Sequence, residues 1–121
     1  MAAPNLVNVS SVIGKTTGNV VNANADENIV TCAADKLLKI NSVICANVDG
    51  TNDATVNLLF VRSDSTQFYV AYQADVVAKD TVVLVSKDAP LYLEEGDQLR
   101  IRGSANNRLQ AVTSYEELDD A

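Results

Sequence analysis

The sequence of 121 residues contains no histidine and no tryptophan. Without an imidazole, the side chain most often used as a general base near neutral pH is missing, and zinc sites with histidine ligands are excluded. Serine is plentiful, but the chain has no Gly-x-Ser-x-Gly motif and no histidine to activate a nucleophile. These absences argue against an enzyme. They predict no catalytic residues, no cofactor and no metal centre.

Basic residues and long apolar runs are also scarce. Nine lysines and arginines stand against sixteen acids, which gives a net charge of −7. Nucleic acids and anionic membrane surfaces are bound through clustered positive charge, so neither is a predicted partner. Uninterrupted apolar runs such as Leu58–Val61 and Val82–Val85 are far shorter than the roughly twenty residues of a membrane-spanning helix. The first residues lack a basic segment followed by an apolar one, and no targeting segment is expected.

Only two cysteines are present, Cys32 and Cys45. Two cysteines do not make the framework of a disulfide-stabilised fold, and their spacing matches no metal-binding motif. The sequence predicts two small buried side chains, because free cysteine is among the most buried residue types. A single bridge between them is the alternative, if their strands are neighbours.

Valine, isoleucine and threonine are abundant, with 30 residues together. Their branched side chains favour strands over helices, and turn-forming clusters recur at short intervals between them. The pattern predicts an all-β fold, an antiparallel β-sandwich of jelly-roll type with about eight strands. The segments with a strand-like pattern are Leu6–Ile13, Asn28–Ala33, Lys36–Val48, Ala54–Val61, Gln67–Tyr72, Val76–Ala78, Thr81–Ser86, Leu91–Leu93, Gln98–Arg102 and Arg108–Tyr115.

The segment Lys36–Val48 is the longest predicted strand. Alternation places Leu38, Ile40, Ile44 and Ala46 on one face, with a bend expected at Ser42, which interrupts this row. A helix is the competing interpretation, because some of these residues also have helical spacing, but the alternation continues too far to favour it.

The chain shows no linker and no internal repeat, which predicts one domain over residues 1–115 with an N-terminal arm over about 1–10. Residues 116–121 include four of the sixteen acids. This concentration of charge predicts an exposed and poorly ordered acidic tail.

Two acidic segments are candidate sites. Asp49–Asp53 contains an Asp-Gly pair typical of a hairpin turn, and its several oxygen atoms make calcium binding an alternative. Glu94, Glu95 and Asp97 resemble the paired carboxylates of an acid–base catalyst, but Gly96-Asp97 is itself a turn signal. We therefore expect a solvated turn there.

The strand Gln67–Tyr72 carries apolar side chains on both faces. Two interpretations remain open, a central strand buried on both sides or a strand with one face in contact with another protein. The arginines Arg62, Arg100, Arg102 and Arg108 similarly line either a solvated sheet face or a face that meets acidic groups of a partner.

Several segments resemble small virion proteins of tailed phages, common among marine and cyanobacterial phages. They are Pro4–Asn8, Lys39–Asn41, Asn47–Asn52, Val82–Asp88, Pro90–Arg100, Ser104–Asn107 and Ala111–Glu117. The best parts are the Asp-Gly-Thr-Asn turn and the Leu-Glu-Glu-Gly-Asp-x-Leu-Arg stretch. The resemblance implies a β-sandwich built into the virion, after assembly in the host cytoplasm, with no catalytic residues.

The resulting functional hypothesis is a capsid decoration or cement protein on the outside of the major capsid shell. A neck, tail or fibre-attachment component of the same fold is one alternative, and a carbohydrate-binding module using Tyr69, Tyr72 or Tyr92 is another. The expected partners are the major capsid protein or other virion proteins, with the chain itself a homo-oligomer or multicopy assembly. Candidate contact residues are Asn5, Leu6 and Val7 in the arm and Asp49, Gly50, Thr51 and Asn52 in the turn.

Overall fold

The computed structural model describes residues 9–120, which form nine β-strands. This part of the chain contains no helix of the length and apolar character needed to cross a membrane. The strands are β1 (Val9–Val21), β2 (Glu27–Thr31), β3 (Lys36–Asn47), β4 (Ala54–Val61), β5 (Gln67–Val76), β6 (Thr81–Val85), β7 (Leu91–Leu93), β8 (Gln98–Gly103) and β9 (Leu109–Asp120).

The strands form two antiparallel sheets, which confirms the predicted β-sandwich. The five-stranded sheet has the order β1-β9-β3-β6, with β7 also pairing with β3, and the four-stranded sheet has the order β2-β8-β4-β5. The predicted hairpin at Asp49–Asp53 is wrong, because β3 and β4 belong to different sheets. The segment is instead a connection that crosses from one sheet to the other.

The core lies between the sheets and is built by alternation along the strands. In β8, Leu99 and Ile101 are fully buried, whereas Arg100 and Arg102 lie on the outer face. From the five-stranded sheet, Ile40 is one of several fully buried residues that belong to the same hydrophobic cluster. Burial of these side chains removes apolar surface from water, which is the main term that stabilises the two-layer arrangement.

A bulge in β3 changes which of its side chains face the core. The pairing of β3 with β9 shifts between Ile40 and Ser42, at the position of the expected bend. One extra residue reverses the alternation, so Val43 and Cys45 are buried beyond it while Ile44 is only partly buried. The predicted inward position of Ile44 and Ala46 is therefore wrong.

The acidic end of the chain is a strand, which corrects the prediction of a separate tail over 116–121. Residues 116–120 continue β9, which pairs with β1 on one side and β3 on the other. Leu118 lies opposite Val12 and Leu37 and is only 8% exposed. Its burial between two strands favours continuation of the ladder over a solvated end.

Lysines on the neighbouring strands balance the acids of β9. The Lys36 ammonium lies 2.7 Å from Asp119 and the Lys15 ammonium lies 3.2 Å from Glu117. The hydrogen bond to Asp119 raises the pKa of Lys36. Each exposed pair contributes little stability by itself. Their main effect is to offset the repulsion that would otherwise separate several carboxylates on one strand.

The predicted turn between β7 and β8 is present and is held against Cys32, which follows β2, but it is not fully solvated, because Asp97 is only 1% exposed. The Gly96 amide donates to the Cys32 carbonyl at 2.9 Å, and the Cys32 amide donates to the Asp97 carbonyl at 2.9 Å. The buried Asp97 carboxylate accepts from the Glu94 amide at 2.9 Å. Gly96 has a φ of 83°, a backbone conformation that other residues adopt only with strain.

We predict that Gly96→Ala destabilises the protein by about 2–4 kcal/mol. A Cβ at this position would lie 2.7 Å from the Cβ of Ser63, and the positive φ adds backbone strain. Urea unfolding followed by circular dichroism measures the change.

The control for this prediction is Gly14→Ala in β1, where an added Cβ meets nothing within 4 Å. Its free energy of unfolding is expected to stay within about 0.5 kcal/mol of the parent value. Equal losses in the two variants would contradict the proposed role of the Gly96 turn.

Candidate partner-contact surfaces

The Asp49–Asp53 connection is organised by the Asp49 carboxylate. One of its oxygens accepts from the Thr51 amide at 2.8 Å and from the Asn52 amide at 3.1 Å. These hydrogen bonds favour the ionised carboxylate and hold the pKa of Asp49 below its ordinary value. The arrangement is an Asx turn, in which a side chain replaces the backbone acceptor of an ordinary turn.

Carboxylate oxygens of Asp49 and Asp53, which the calcium alternative would use, already have partners. The second Asp49 oxygen lies 3.5 Å from Arg108 Nε, and an Asp53 carboxylate oxygen accepts from the Ala78 amide at 3.0 Å. Residues 9–120 contain no group of three or more cysteine and acidic side chains placed to hold a metal ion. The contacts therefore favour the turn interpretation of these residues.

Asn47, at the end of β3, anchors the connection from inside. Its amide group donates to the carbonyls of Asn52 and Val76, both at 2.9 Å, and its oxygen accepts from the Asp49 amide at 2.9 Å. The residue is only 3% exposed. Three hydrogen bonds from one buried side chain fix the base of the connection to β5.

The predicted contact residues are only partly placed by the structure. Gly50, Thr51 and Asn52 are exposed and Asp49 is half-buried, so this group is accessible to a partner. The N-terminal candidates Asn5, Leu6 and Val7 lie outside the described residues. The expectation that both groups contact a partner stays a prediction.

Strand β5 is the edge of the four-stranded sheet, which excludes the interpretation of Gln67–Tyr72 as a central strand. Phe68, Tyr69 and Tyr72 are 55%, 56% and 60% exposed. Tyr69 and Tyr72 contact each other edge to face, with ring centroids 4.8 Å apart. We call these three residues the aromatic edge. Its exposure agrees with the other interpretation, in which this strand contacts another protein.

Bulges explain why two tyrosines three positions apart meet. The pairing of β4 with β5 shifts between Val56 and Leu58 and again between Leu58 and Leu59. Near the first shift, the Gln73 amide donates to the Asn57 side chain at 2.6 Å. Strict alternation would place Tyr69 and Tyr72 on opposite faces, and the sequence alone gives no signal for the extra residues.

Phe68 stands on the side of the sheet that bears Phe60, and their rings are stacked with centroids 6.4 Å apart. The Arg62 guanidinium lies 5.4 Å from the centre of the Phe60 ring and pairs with Glu94 at 2.9 Å. The carboxylates of the β7–β8 turn thus fix a cation beside the aromatic edge. This contact indicates a structural role for Glu94.

The four arginines do not share one environment. Arg62 and Arg108 pair with carboxylates of their own chain, whereas Arg100 donates to the Gln98 side-chain oxygen and Arg102 donates to the Ala23 carbonyl. Arg100 lies opposite Leu59, and Leu59 lies opposite Tyr69 on the neighbouring strand. The outer face of the four-stranded sheet therefore combines arginine with exposed tyrosine, a composition typical of protein interfaces.

The full length of the edge strand β1 was not recognised from the sequence, which predicted a strand only over Leu6–Ile13. Val12 and Val20 are 50% and 51% exposed. A groove of about 270 Å³ opens beside Gly18 and is lined by Val20 and Val112 among others. The signal that could have identified this strand is the row of branched side chains that continues through the two glycines.

Both cysteines are free and buried, as the sequence predicted. Burial raises the pKa of Cys32 to about 11 and that of Cys45 to about 11. A thiol is reactive only as the thiolate, so both groups are chemically protected in the folded state. Neither is placed to form a bond with another molecule.

Comparisons with known proteins show the fold. No family model and no curated protein sequence matches the chain. One similar solved structure is that of Bacillus endospore appendages, which form disulfide-linked pili. The similarity covers 92% of this chain and 90% of that chain, with a TM-score of 0.50 and 14% identity.

Two other solved structures have lower scores. The infectious bursal disease virus VP2 subviral particle matches with a TM-score of 0.48 and 11% identity, over 93% of this chain but only 34% of that chain. The CBM22-1 xylan-binding domain from Paenibacillus barcinonensis Xyn10C matches with a TM-score of 0.30 and 13% identity, over 93% of this chain and 84% of that chain.

We predict that Asn47→Ala destabilises the protein by about 3 kcal/mol, because it leaves the Asn52 and Val76 carbonyls without their donor. Asn52→Ala is the control, since the Asn52 side chain is exposed and makes one long contact to Asp49 at 3.4 Å. Its expected cost is below about 1 kcal/mol. A similar loss in both variants, measured by denaturant unfolding, would show that Asn47 is not the anchor.

We also predict that a disulfide reagent such as 5,5′-dithiobis(2-nitrobenzoate) leaves the native protein unlabelled at pH 8 and labels two thiols in denaturant. A variant with Thr81→Cys, which places a thiol at an exposed position of β6, serves as the reactive control. Rapid labelling of Cys32 or Cys45 under native conditions would contradict their protected state.

Proposed function

We propose that this chain is a bacteriophage virion structural protein that decorates the outside of the major capsid shell in many copies, without catalytic activity. The observation that carries the proposal is the aromatic edge of Phe68, Tyr69 and Tyr72, each more than half exposed. Large exposed aromatic side chains on a folded domain mark a protein contact, and tyrosine and arginine contribute most to the affinity of such contacts.

Three further observations support this role. Several segments of the sequence resemble small virion proteins of tailed phages. The fold is shared with a subunit from a structure of pili, which is consistent with a structural part. A net charge of −7 is unfavourable beside packaged DNA and favours a position outside the shell.

The mechanism is attachment without chemistry. A rigid two-sheet domain presents the aromatic edge and the nearby Arg100 in a fixed geometry, so that little ordering is needed on binding. Each contact is weak by itself, but copies arranged on a regular shell add their contributions where neighbouring copies touch. A neck or tail component of the same fold would use the same surface and would differ in copy number.

A second candidate function is carbohydrate binding at a host surface. The observation that favours it is the exposed pair Tyr69 and Tyr72, because sugar rings stack on exposed aromatic faces. The two candidates differ in their partner, a protein shell or a glycan, and both use the aromatic edge.

We predict that the purified protein binds to virions that lack it, and that hundreds of copies bind to each particle. Replacement of both tyrosines in Y69S/Y72S is expected to weaken this binding at least about tenfold, because the aromatic contacts are lost. Sedimentation of particles with bound protein, quantified by mass spectrometry, measures both the copy number and the affinity.

The matched control is Tyr92→Ser, which removes a tyrosine 43% exposed on β7 of the other sheet. Its binding is expected to equal that of the parent. A handful of copies located at the neck or tail would overturn the capsid proposal. Binding to a glycan array that is lost in Y69S/Y72S would favour the carbohydrate alternative instead.

A further inference from the structure

Among the strands of residues 9–120, β1 has the most regular unpaired edge. Within residues 9–120, β1 pairs only with β9, and its pairing has no shift from Ser11 to Val21. Such an edge presents a row of backbone amides and carbonyls that a further strand can extend.

The other edges are less suitable for strand addition. β2 has five residues and a register shift, and β5 has two shifts along its pairing with β4. β6 also has five residues and a shift against β3. Bulges and short length are the usual features that prevent edge pairing, and β1 lacks both beyond Ser11.

The sequence of β1 is nearly symmetric about Thr16. Moving outward from it, Gly14 matches Gly18 and Val12 matches Val20 at equal distances along the strand. These residues share one face, because the alternation is regular over this range. They lie opposite Leu118, Glu116, Ser114, Val112 and Gln110 of β9.

Charge does not oppose a second copy at this edge, although the chain as a whole carries −7. Lys15 is the one charged residue between Val12 and Val20, and it pairs with Glu117 of its own chain at 3.2 Å. Two copies that repel each other elsewhere can therefore approach along β1. The threonines at the centre add favourable cross-strand contacts.

We propose that two copies of this chain pair antiparallel along β1, with Thr16 on the two-fold axis. Val12 then lies opposite Val20 of the second copy, and Gly14 lies opposite Gly18 of the second copy. The contact is isologous, so the same residues serve both copies and the assembly closes as a dimer. The two five-stranded sheets become one continuous sheet of ten strands.

The proposed pairing would also cover apolar groups that are exposed to solvent in the single chain. Val12 and Val20 are about half exposed in the single chain, and the groove beside Gly18 has apolar walls. In the proposed register, Val12 and Thr16 of the second copy flank this groove as diagonal neighbours of Gly18. The proposal concerns self-association and goes beyond the proposed attachment to a shell, which uses the aromatic edge of the other sheet.

Cysteine substitution tests the position of the axis. Residues opposite each other in antiparallel strands have Cα atoms about 4.5–5.5 Å apart, within the range that a disulfide spans. Thr16→Cys is therefore expected to give a covalent dimer under mild oxidation. Val12→Cys is the matched control and should form no covalent dimer, because its opposite residue is Val20. The double variant V12C/V20C should again give a dimer.

The native thiols do not interfere, because Cys32 and Cys45 are buried. Equal cross-linking of Thr16→Cys and Val12→Cys would show random collision and would overturn the proposed axis. A Thr16→Cys variant that forms no covalent dimer would also overturn the proposed axis. All three substituted positions, Val12, Thr16 and Val20, are exposed, so circular dichroism is expected to show an unchanged fold.

Charge substitution tests the register without a covalent bond. V12K/V20E places opposite charges across both ends of the contact, whereas V12K/V20K places like charges there. We expect the association constant of V12K/V20K, measured by analytical ultracentrifugation, to be at least about tenfold lower than that of V12K/V20E. Equal values, or a parent protein that stays monomeric up to millimolar concentration, would overturn the proposal.

These results are separable from the proposed function. If the dimer does not form but the protein still binds particles, only the proposed β1 contact is overturned. Loss of particle binding in Y69S/Y72S with an unchanged dimer confirms that the two surfaces act independently.

Discussion

The central position of β9 is the constraint on which the rest of the five-stranded sheet depends. This strand pairs along most of its length with β1 on one side and β3 on the other. Its inward side chains, among them Leu109 and Ala111, are buried in the core. Because β1 has no other strand partner within residues 9–120, its place in the five-stranded sheet depends on β9, while Val21 at its end is buried in the core. Of the strands that the structure describes, the last in sequence thus holds the first in its sheet.

This arrangement explains how several carboxylates can lie close together on β9 although the chain as a whole is acidic. The carboxylates of β9 lie between two strands that carry lysine, and the registers place Lys36 opposite Asp119 and Lys39 opposite Glu116. Glu116 also accepts from the Asn41 amide group at 3.0 Å. Local charge balance across strands therefore matters more to this region than the net charge of the chain.

Much of the fold was predictable because alternation is a local signal. Ala54–Val61 and Gln98–Arg102 were recognised as strands from their own residues. The acidic end was not, because Lys15 and Lys36, which balance it, come from distant parts of the sequence. The position of β5 at an edge depends on the sheet order, and the bulges that bring Tyr69 and Tyr72 together leave no local signature. Asp49–Asn52 was identified as a turn, but its connection between sheets was not.

The burial of the two cysteines has a consequence for how the protein responds to redox conditions. Cys32 and Cys45 are free and buried, so the described fold contains no disulfide that a reducing compartment could reduce. Their burial also protects the two thiols from forming a disulfide in an oxidising compartment. In the assembly proposed above, these two thiols would therefore supply no disulfide between copies, in contrast to the disulfide-linked pili whose structure is similar. An assembly of the proposed kind would then not be strengthened or weakened through these thiols when it passes from a reducing cell to an oxidising medium.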